Sequence, residues 1–398
     1  MRVLFCFLFI LCCAAAAAQG ERLHHRSVVA DTHNDVLSSV VLEGLDISRR
    51  HNAGHSDLER WREGGVDLQF FSVWTDRFPR NRPDSAAGTL GFFRDALEEI
   101  DSLAAIISRN PGRIALVRSY REAKKTMRRG KLAALIGVEG GHMIEDDPAK
   151  LDSLFRRGMR YLTLTWNNST SWASSALDET RGNMPEDRKG LNEFGKEIVR
   201  QMNRLGVIVD LSHVGERTFY DALAVTTRPV LLSHSSVWAI CPVFRNVNDE
   251  QIRAVARNGG VICINFYSGF IDSNYAKREE SLRDSIRMIV DSLGKNMDAA
   301  RLNQLRRKYF SEKLEPFRPG VKEVVDHIDH IVRLVGDEHV GLGSDFDGVS
   351  SLPRGLDDVS TYPLITRELL SRGYSKRSIR KILGRNVLRV MKANFVDE

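Results

Sequence analysis

Val28-Val29-Ala30-Asp31-Thr32-His33-Asn34-Asp35 begins apolar and ends on side chains that bind cations and protons. A short, unbroken apolar run suits a strand covered on both faces, as in a parallel sheet. The pattern returns along the chain at 66–74, 132–138, 161–165, 207–211, 230–233, 261–266 and 340–344. With 28–31 that makes eight runs, each with a polar residue at or next to its end. Amphipathic stretches such as 194–205 and 321–335 lie between them. Eight strands alternating with helices predict an α/β fold, a (β/α)8 TIM barrel, because a right-handed crossover follows each parallel strand. A doubly wound open sheet is the competing architecture. The highly charged stretch 272–319, between the seventh and eighth runs, reads as a helical insertion beside the barrel mouth.

Composition agrees with one large globular unit. The chain has 398 residues, 42 % of them apolar and 28 % charged, with 58 Lys+Arg against 52 Asp+Glu. The net charge of +6 comes from near balance and not from a basic block. It therefore predicts no nucleic-acid partner, which would need clustered Lys and Arg. No GxxxxGK[ST] string is present, which excludes a P-loop.

Residues 1–18 have the character of a secretory signal: Arg2, an apolar run at 3–13, then five alanines ending at Ala18. The run is too short to span a bilayer. The expectation is an exported protein, periplasmic or secreted, whose domain runs from 19 to 398 with no transmembrane segment. Cys6, Cys12 and Cys13 leave with the signal, and Cys241 and Cys263 remain, bonded to each other or free.

In such a barrel the functional groups come from the C-terminal ends of different strands. Those ends carry His33 and Asp35, Glu139, Trp166 and Asn167, His213, His234, Asn265 and Asp345. His33 and Asp35 stand two apart, which on extended backbone puts both on one face, able to hold one metal ion. His213 and His234 stand about one helix-plus-strand unit apart, on neighbouring strands able to share a second. Glu139 offers two oxygens to bridge the pair. Imidazole and carboxylate ligands suit Zn²⁺, with Mn²⁺, Fe²⁺ and Co²⁺ also compatible. Two ions about 3.5–4 Å apart would clamp a bridging water and turn it into a hydroxide nucleophile near neutral pH. Asp345 would carry the proton from that water to the leaving amine.

The other histidines read differently. His327 and His330 lie on a helical pattern and read as structural. His24, His25, His51 and His55 sit in polar stretches and read as solvated. His142, after Glu139-Gly140-Gly141, reads equally well as a neighbour of the site or as structural.

At these positions the chain resembles the membrane (renal) dipeptidase family, peptidase family M19, among the amidohydrolase-like metal barrels. The strings are Asp31-Thr32-His33-Asn34-Asp35, Gly137-Val138-Glu139-Gly140-Gly141-His142, Arg160-Tyr161-Leu162-Thr163-Leu164-Thr165, Asp210-Leu211-Ser212-His213, Ser233-His234-Ser235, Arg245-Asn246-Val247 and Gly343-Ser344-Asp345-Phe346-Asp347-Gly348. The likeness extends over about 28–390. It implies two zinc ions, one on His33, Asp35 and Glu139 and the other on Glu139, His213 and His234. It also implies a dipeptide substrate, Arg245 gripping the substrate carboxylate, Asp345 as acid/base, and a homodimer. One position departs: where the family usually has a substrate-binding His after Leu164-Thr165, this chain has Trp166, followed by Asn167. An indole offers one donor and cannot become cationic. Trp166 and Asn167 are therefore candidate substrate contacts. Two alternatives to a dipeptidase stay open: a hydrolase of another carboxylate-bearing amide or lactone, and a non-catalytic peptide-binding barrel.

Overall fold

The computed structural model describes residues 19–75, 91–293, 308–309 and 312–396. The predicted signal, 1–18, lies outside the described residues, as do 294–307 and 310–311 of the predicted insertion.

Among the described residues there are nine parallel strands: β1 Ala30–Asp31, β2 Leu68–Val73, β3 Ile114–Leu116, β4 Leu132–Glu139, β5 Met159–Thr163, β6 Ile208–Asp210, β7 Leu231–Leu232, β8 Val261–Ile264 and β9 Val340–Leu342. Eight of them close a ring in the order β1-β2-β4-β5-β6-β7-β8-β9, with β9 pairing back onto β1. All eight predicted runs supply a strand of this ring, so the fold is the TIM barrel and not the open sheet. β3 is extra. Among the described residues its three residues pair only with Leu132, Ala133 and Ala134 at the start of β4.

Alternation along the strands sorts side chains into two cores. Ala30, Leu68, Phe70, Ala133, Leu135, Tyr161, Ile208, Leu231, Val261 and Cys263 pack together inside the ring. Val29, Phe71, Val73, Ala134, Ile136, Val138, Leu162, Val209, Leu232, Ile262 and Ile264 pack outward against the helices. Each strand is buried on both faces, which is why the runs are continuously apolar. The C-terminal helix Asn386–Asn394 adds Val387, Val390 and Met391 to the inner core. Continuing the inner parity past the apolar positions brings Glu139, Thr163, Asp210, Ser233 and Asn265 to one end of the barrel.

Both amphipathic stretches are helices, Glu193–Leu205 and Val321–Val335. In the predicted insertion, Ser273–Leu293 is one helix and Glu315–Phe317 a single 3-10 turn. Cys241 and Cys263 are both buried and unbonded. His24 corrects its sequence reading: it is fully buried, its ring between the Thr366 hydroxyl at 2.7 Å and the Gly64 carbonyl at 2.8 Å. His327 is the structural residue expected. Its Nδ1 accepts from the Val237 amide and its Nε2 donates to the Ile271 carbonyl, each at 2.9 Å. Among the described residues, no helix is long and apolar enough to cross a membrane.

Candidate metal centre

Asp31 ties the ends of the first and last strands together. Its carboxylate accepts the amides of His33 (3.1 Å) and Ser344 (3.0 Å) and the Ser344 hydroxyl (2.6 Å). Those bonds set His33 and Asp345 side by side. His213 and Asp345 both adopt left-handed backbone (φ 66° and 62°) just beyond their strands. That conformation is uncommon outside glycine, and here it turns each side chain at a strand end.

The predicted ligands meet. His213 Nε2 lies 2.8 Å and His234 Nε2 3.2 Å from Glu139 Oε1, and the two nitrogens are 2.8 Å apart. His33 Nε2 lies 3.6 Å from Glu139 Oε2 and 3.4 Å from Asp35 Oδ2. His33, Glu139 and His234 each present a ligand atom within 4.8 Å of the others, and so do His33, Asp35 and Asp345. All of these side chains are buried. Asp345 thus stands closer to the cluster than its reading as a pure proton carrier required.

Each imidazole is held by its other nitrogen. His33 Nδ1 is 2.8 Å from the Tyr161 hydroxyl, His213 Nδ1 is 3.0 Å from Asn167 Oδ1, and His234 Nδ1 is 2.8 Å from Ser233 Oγ. Ser233 Oγ donates onward to Asp210 Oδ2 at 2.6 Å. At His213 and His234 the partner is an acceptor, an amide carbonyl oxygen and a hydroxyl that already donates to Asp210. This selects the Nδ1–H tautomer and leaves Nε2 its lone pair, the arrangement of metal-binding histidines. The Tyr161 hydroxyl can accept in the same way at His33.

The donor set fits divalent cations on its own chemistry. His33 Nε2 and Asp35 Oδ1 are buried with no hydrogen-bond partner, a costly state unless something cationic joins them. The 2.8–3.2 Å triangle of Glu139, His213 and His234 matches donors sharing one ion at bond lengths of about 2.0–2.1 Å. Electrostatics agree. Burial, with Arg245 adding to it, pulls His213 down to about 4. Burial and the charge on His33 hold His234 well below its ordinary value. Both rings are therefore neutral and ready to ligate. Burial also raises the Asp345 carboxyl well above its ordinary value, and the Asp35 charge reinforces this. His33 goes up as well: burial opposes its charge, but the charges of Asp35 and Glu139 outweigh it. Without a cation His33 and Asp345 hold their protons more tightly, and a cation would displace them.

Arg245 is buried near these groups. Its Nη2 donates to the His234 carbonyl at 3.0 Å, and its Nε has no partner. Burial brings the guanidinium to about 10, so it stays charged at neutral pH. Asn167 faces the His213 ring with its carbonyl oxygen. The Trp166 ring packs 4.9 Å from Trp74 and 6.3 Å from His213. His142 is buried, its Nε2 2.9 Å from the Thr75 carbonyl.

Reading strand ends alone missed Tyr161, Asp210 and Ser233 as partners of the histidines. All three lie on the inner parity of their strands, which is the signal that would have found them.

The comparisons agree in fold. The crystal structure of the probable dipeptidase PvdM from Pseudomonas aeruginosa superposes with a TM-score of 0.78 at 24 % identity, over 96 % of this chain and 98 % of that one. The dipeptidase AC, a metallopeptidase of family M19, gives 0.72 at 24 % over 93 % and 99 %. A metallopeptidase from Rhodobacter sphaeroides, liganded with a phosphinate mimic of the dipeptide L-Ala-D-Ala, gives 0.71 at 23 % over 92 % and 99 %. A family model for the membrane dipeptidases matches residues 17–397, nearly the whole length, and with it the chain belongs to the membrane dipeptidase family, peptidase family M19.

Proposed function

We propose that this protein is a zinc-dependent dipeptidase. The observation that carries the reading is the convergence of His33, His213 and His234, each held at Nδ1, with their Nε2 atoms turned towards Glu139. His33, Asp35 and Glu139 would hold one ion, and Glu139, His213 and His234 the other. When bound, such a pair supplies Lewis acidity, polarising the scissile carbonyl and lowering the pKa of a water in the site towards about 7.

The remaining work falls to the chain. The Arg245 guanidinium, charged and with a free Nε–H, receives the carboxylate of a short peptide. Charge-assisted hydrogen bonds of this kind contribute roughly 1.5–3 kcal/mol. Asp345 takes a proton from the attacking water and delivers it to the departing amine. Trp166 and Asn167 line the approach beside His213. The Trp74–Trp166 pair favours keeping open a second reading, in which the indole wall shapes the site for another carboxylate-bearing amide or lactone. The signal-like residues 1–18 support export, and the family resemblance supports a homodimer.

A panel of dipeptides with L and D second residues, extended to N-acyl amino acids and lactones, tests the reading. The D residues are included because the Rhodobacter sphaeroides relative holds a mimic of L-Ala-D-Ala. The expected outcome is amino-acid release that chelator abolishes and Zn²⁺ restores, with two metals per chain by mass spectrometry. If metal-loaded protein releases nothing from any dipeptide, the reading falls. Trp166→His, run alongside, reports whether the indole tunes the pocket away from ordinary dipeptides: turnover on them then rises.

A further inference from the structure

Asn265 follows β8 and is fully buried beside the cluster. Its Nδ2 donates to Asp345 Oδ2 at 2.8 Å. Its Oδ1 accepts the Tyr267 amide at 2.6 Å. The second bond settles the first. Turning the amide over would set its oxygen against the carboxylate and its NH2 against an N–H, losing both bonds. The Asn265 backbone is held too, its amide donating to the Ser235 carbonyl at 3.3 Å and its carbonyl accepting from the Ser236 hydroxyl at 3.3 Å.

The Asp345 backbone is left-handed at φ 62°. One carboxyl oxygen, Oδ2, is committed to Asn265. The other, Oδ1, lies on the cluster side. A Cβ placed on Gly348 would come within 2.3 Å of Asp345 Oδ1 and 2.1 Å of Asp35 Oδ2, so these two oxygens flank one small space that only glycine leaves open.

We infer that Asn265 is the positioning residue of the reaction: it holds Asp345 so that Oδ1 alone faces the reacting atoms. Its hydrogen bonds reach none of the five predicted metal ligands, and it acts through Asp345. On this assignment a proton moved by Asp345 travels on Oδ1, the oxygen beside Asp35 Oδ2, while Oδ2 stays on the Asn265 amide. The assignment rests on the dipeptidase reading for its kinetics, but not for its geometry.

Two variants test it. Asn265→Ala removes the donor, and Asn265→Asp keeps the shape while replacing N–H with an oxygen. For each, kcat and KM on the best dipeptide are measured together with metal content, melting temperature and a crystal structure. The expected result is a kcat lowered about 10- to 100-fold with KM within twofold, both metals retained, and the Asp345 carboxyl rotated in the crystal. A folded, metal-replete variant with kcat within twofold of the parent and Asp345 unmoved overturns the assignment. So does a fall in kcat that comes only with loss of metal, which would make Asn265 a support of the ligands. If the parent cleaves no dipeptide, the proposed activity has failed, and the Asp345 rotation in the crystal still decides this point.

Discussion

Tyr161 shows how much one interior side chain does here. It rises inside the barrel from β5, and its ring passes over Gly137 of β4, where a Cβ would lie 1.9 Å from Cζ. That absence of a side chain lets the hydroxyl reach His33 Nδ1 at 2.8 Å. Tyr161→Phe keeps the packing and removes the oxygen, leaving His33 free to put its proton on Nε2. Losing such a partner typically costs 10- to 100-fold in metal affinity. A competition titration against a chelator is expected to show a drop of that size with little change in melting temperature. Unchanged affinity would mean that the hydroxyl does not set the tautomer. The histidine itself was legible in Asp31-Thr32-His33-Asn34-Asp35. Its partner was not, because Tyr161 is 128 positions away and only barrel closure brings the two together.

At the scale of elements, the helix Ser273–Leu293 is anchored to the site's own loop. Buried Glu279 accepts the Tyr267 hydroxyl, and Arg283 pairs with the same carboxylate at 3.2 Å. Tyr267 is also the residue whose amide fixes Asn265. A hydrogen bond to a charged group is worth about 1.5–3 kcal/mol. Glu279→Ala should therefore speed amide exchange in this helix by roughly 10- to 150-fold while the barrel strands keep their protection, as hydrogen exchange can measure. Equal exchange in both proteins would mean that the helix is held by other contacts. The reading of 272–319 as helical rested on its high charge and helical pattern, which say nothing about what the helix docks on. The strand Ile114–Leu116 escaped notice for a related reason. Three residues carry no measurable period, and among the described residues they pair only with the first three residues of β4.

For the whole molecule, pH is the sensitive variable. Burial holds His24 and His327 down to about 4, each ring placed between fixed partners that suit its neutral form. In the unfolded chain a histidine titrates near 6.5. The unfolded state therefore binds more protons between those values, so stability is full above about 6.5 and declines as pH falls towards 4. Each ring accounts for on the order of 3 kcal/mol across that window. Melting temperatures from pH 7 to 4 should fall less steeply in His24→Gln than in the parent, and parallel slopes would refute the assignment. His24 looked solvated because its neighbours in sequence are polar. Its burial comes from Thr366 and Gly64, which only the closed fold delivers. The division is general in this protein. Eight buried strands and the polar residues ending them are local patterns, written in runs of a few residues, and so the barrel and all five candidate metal ligands could be read from the chain. Which nitrogen each histidine offers, which oxygen Asp345 turns to the cluster and which way Trp166 faces depend on partners from distant strands. Those contacts exist only after the sheet has closed, and tertiary structure alone decided them.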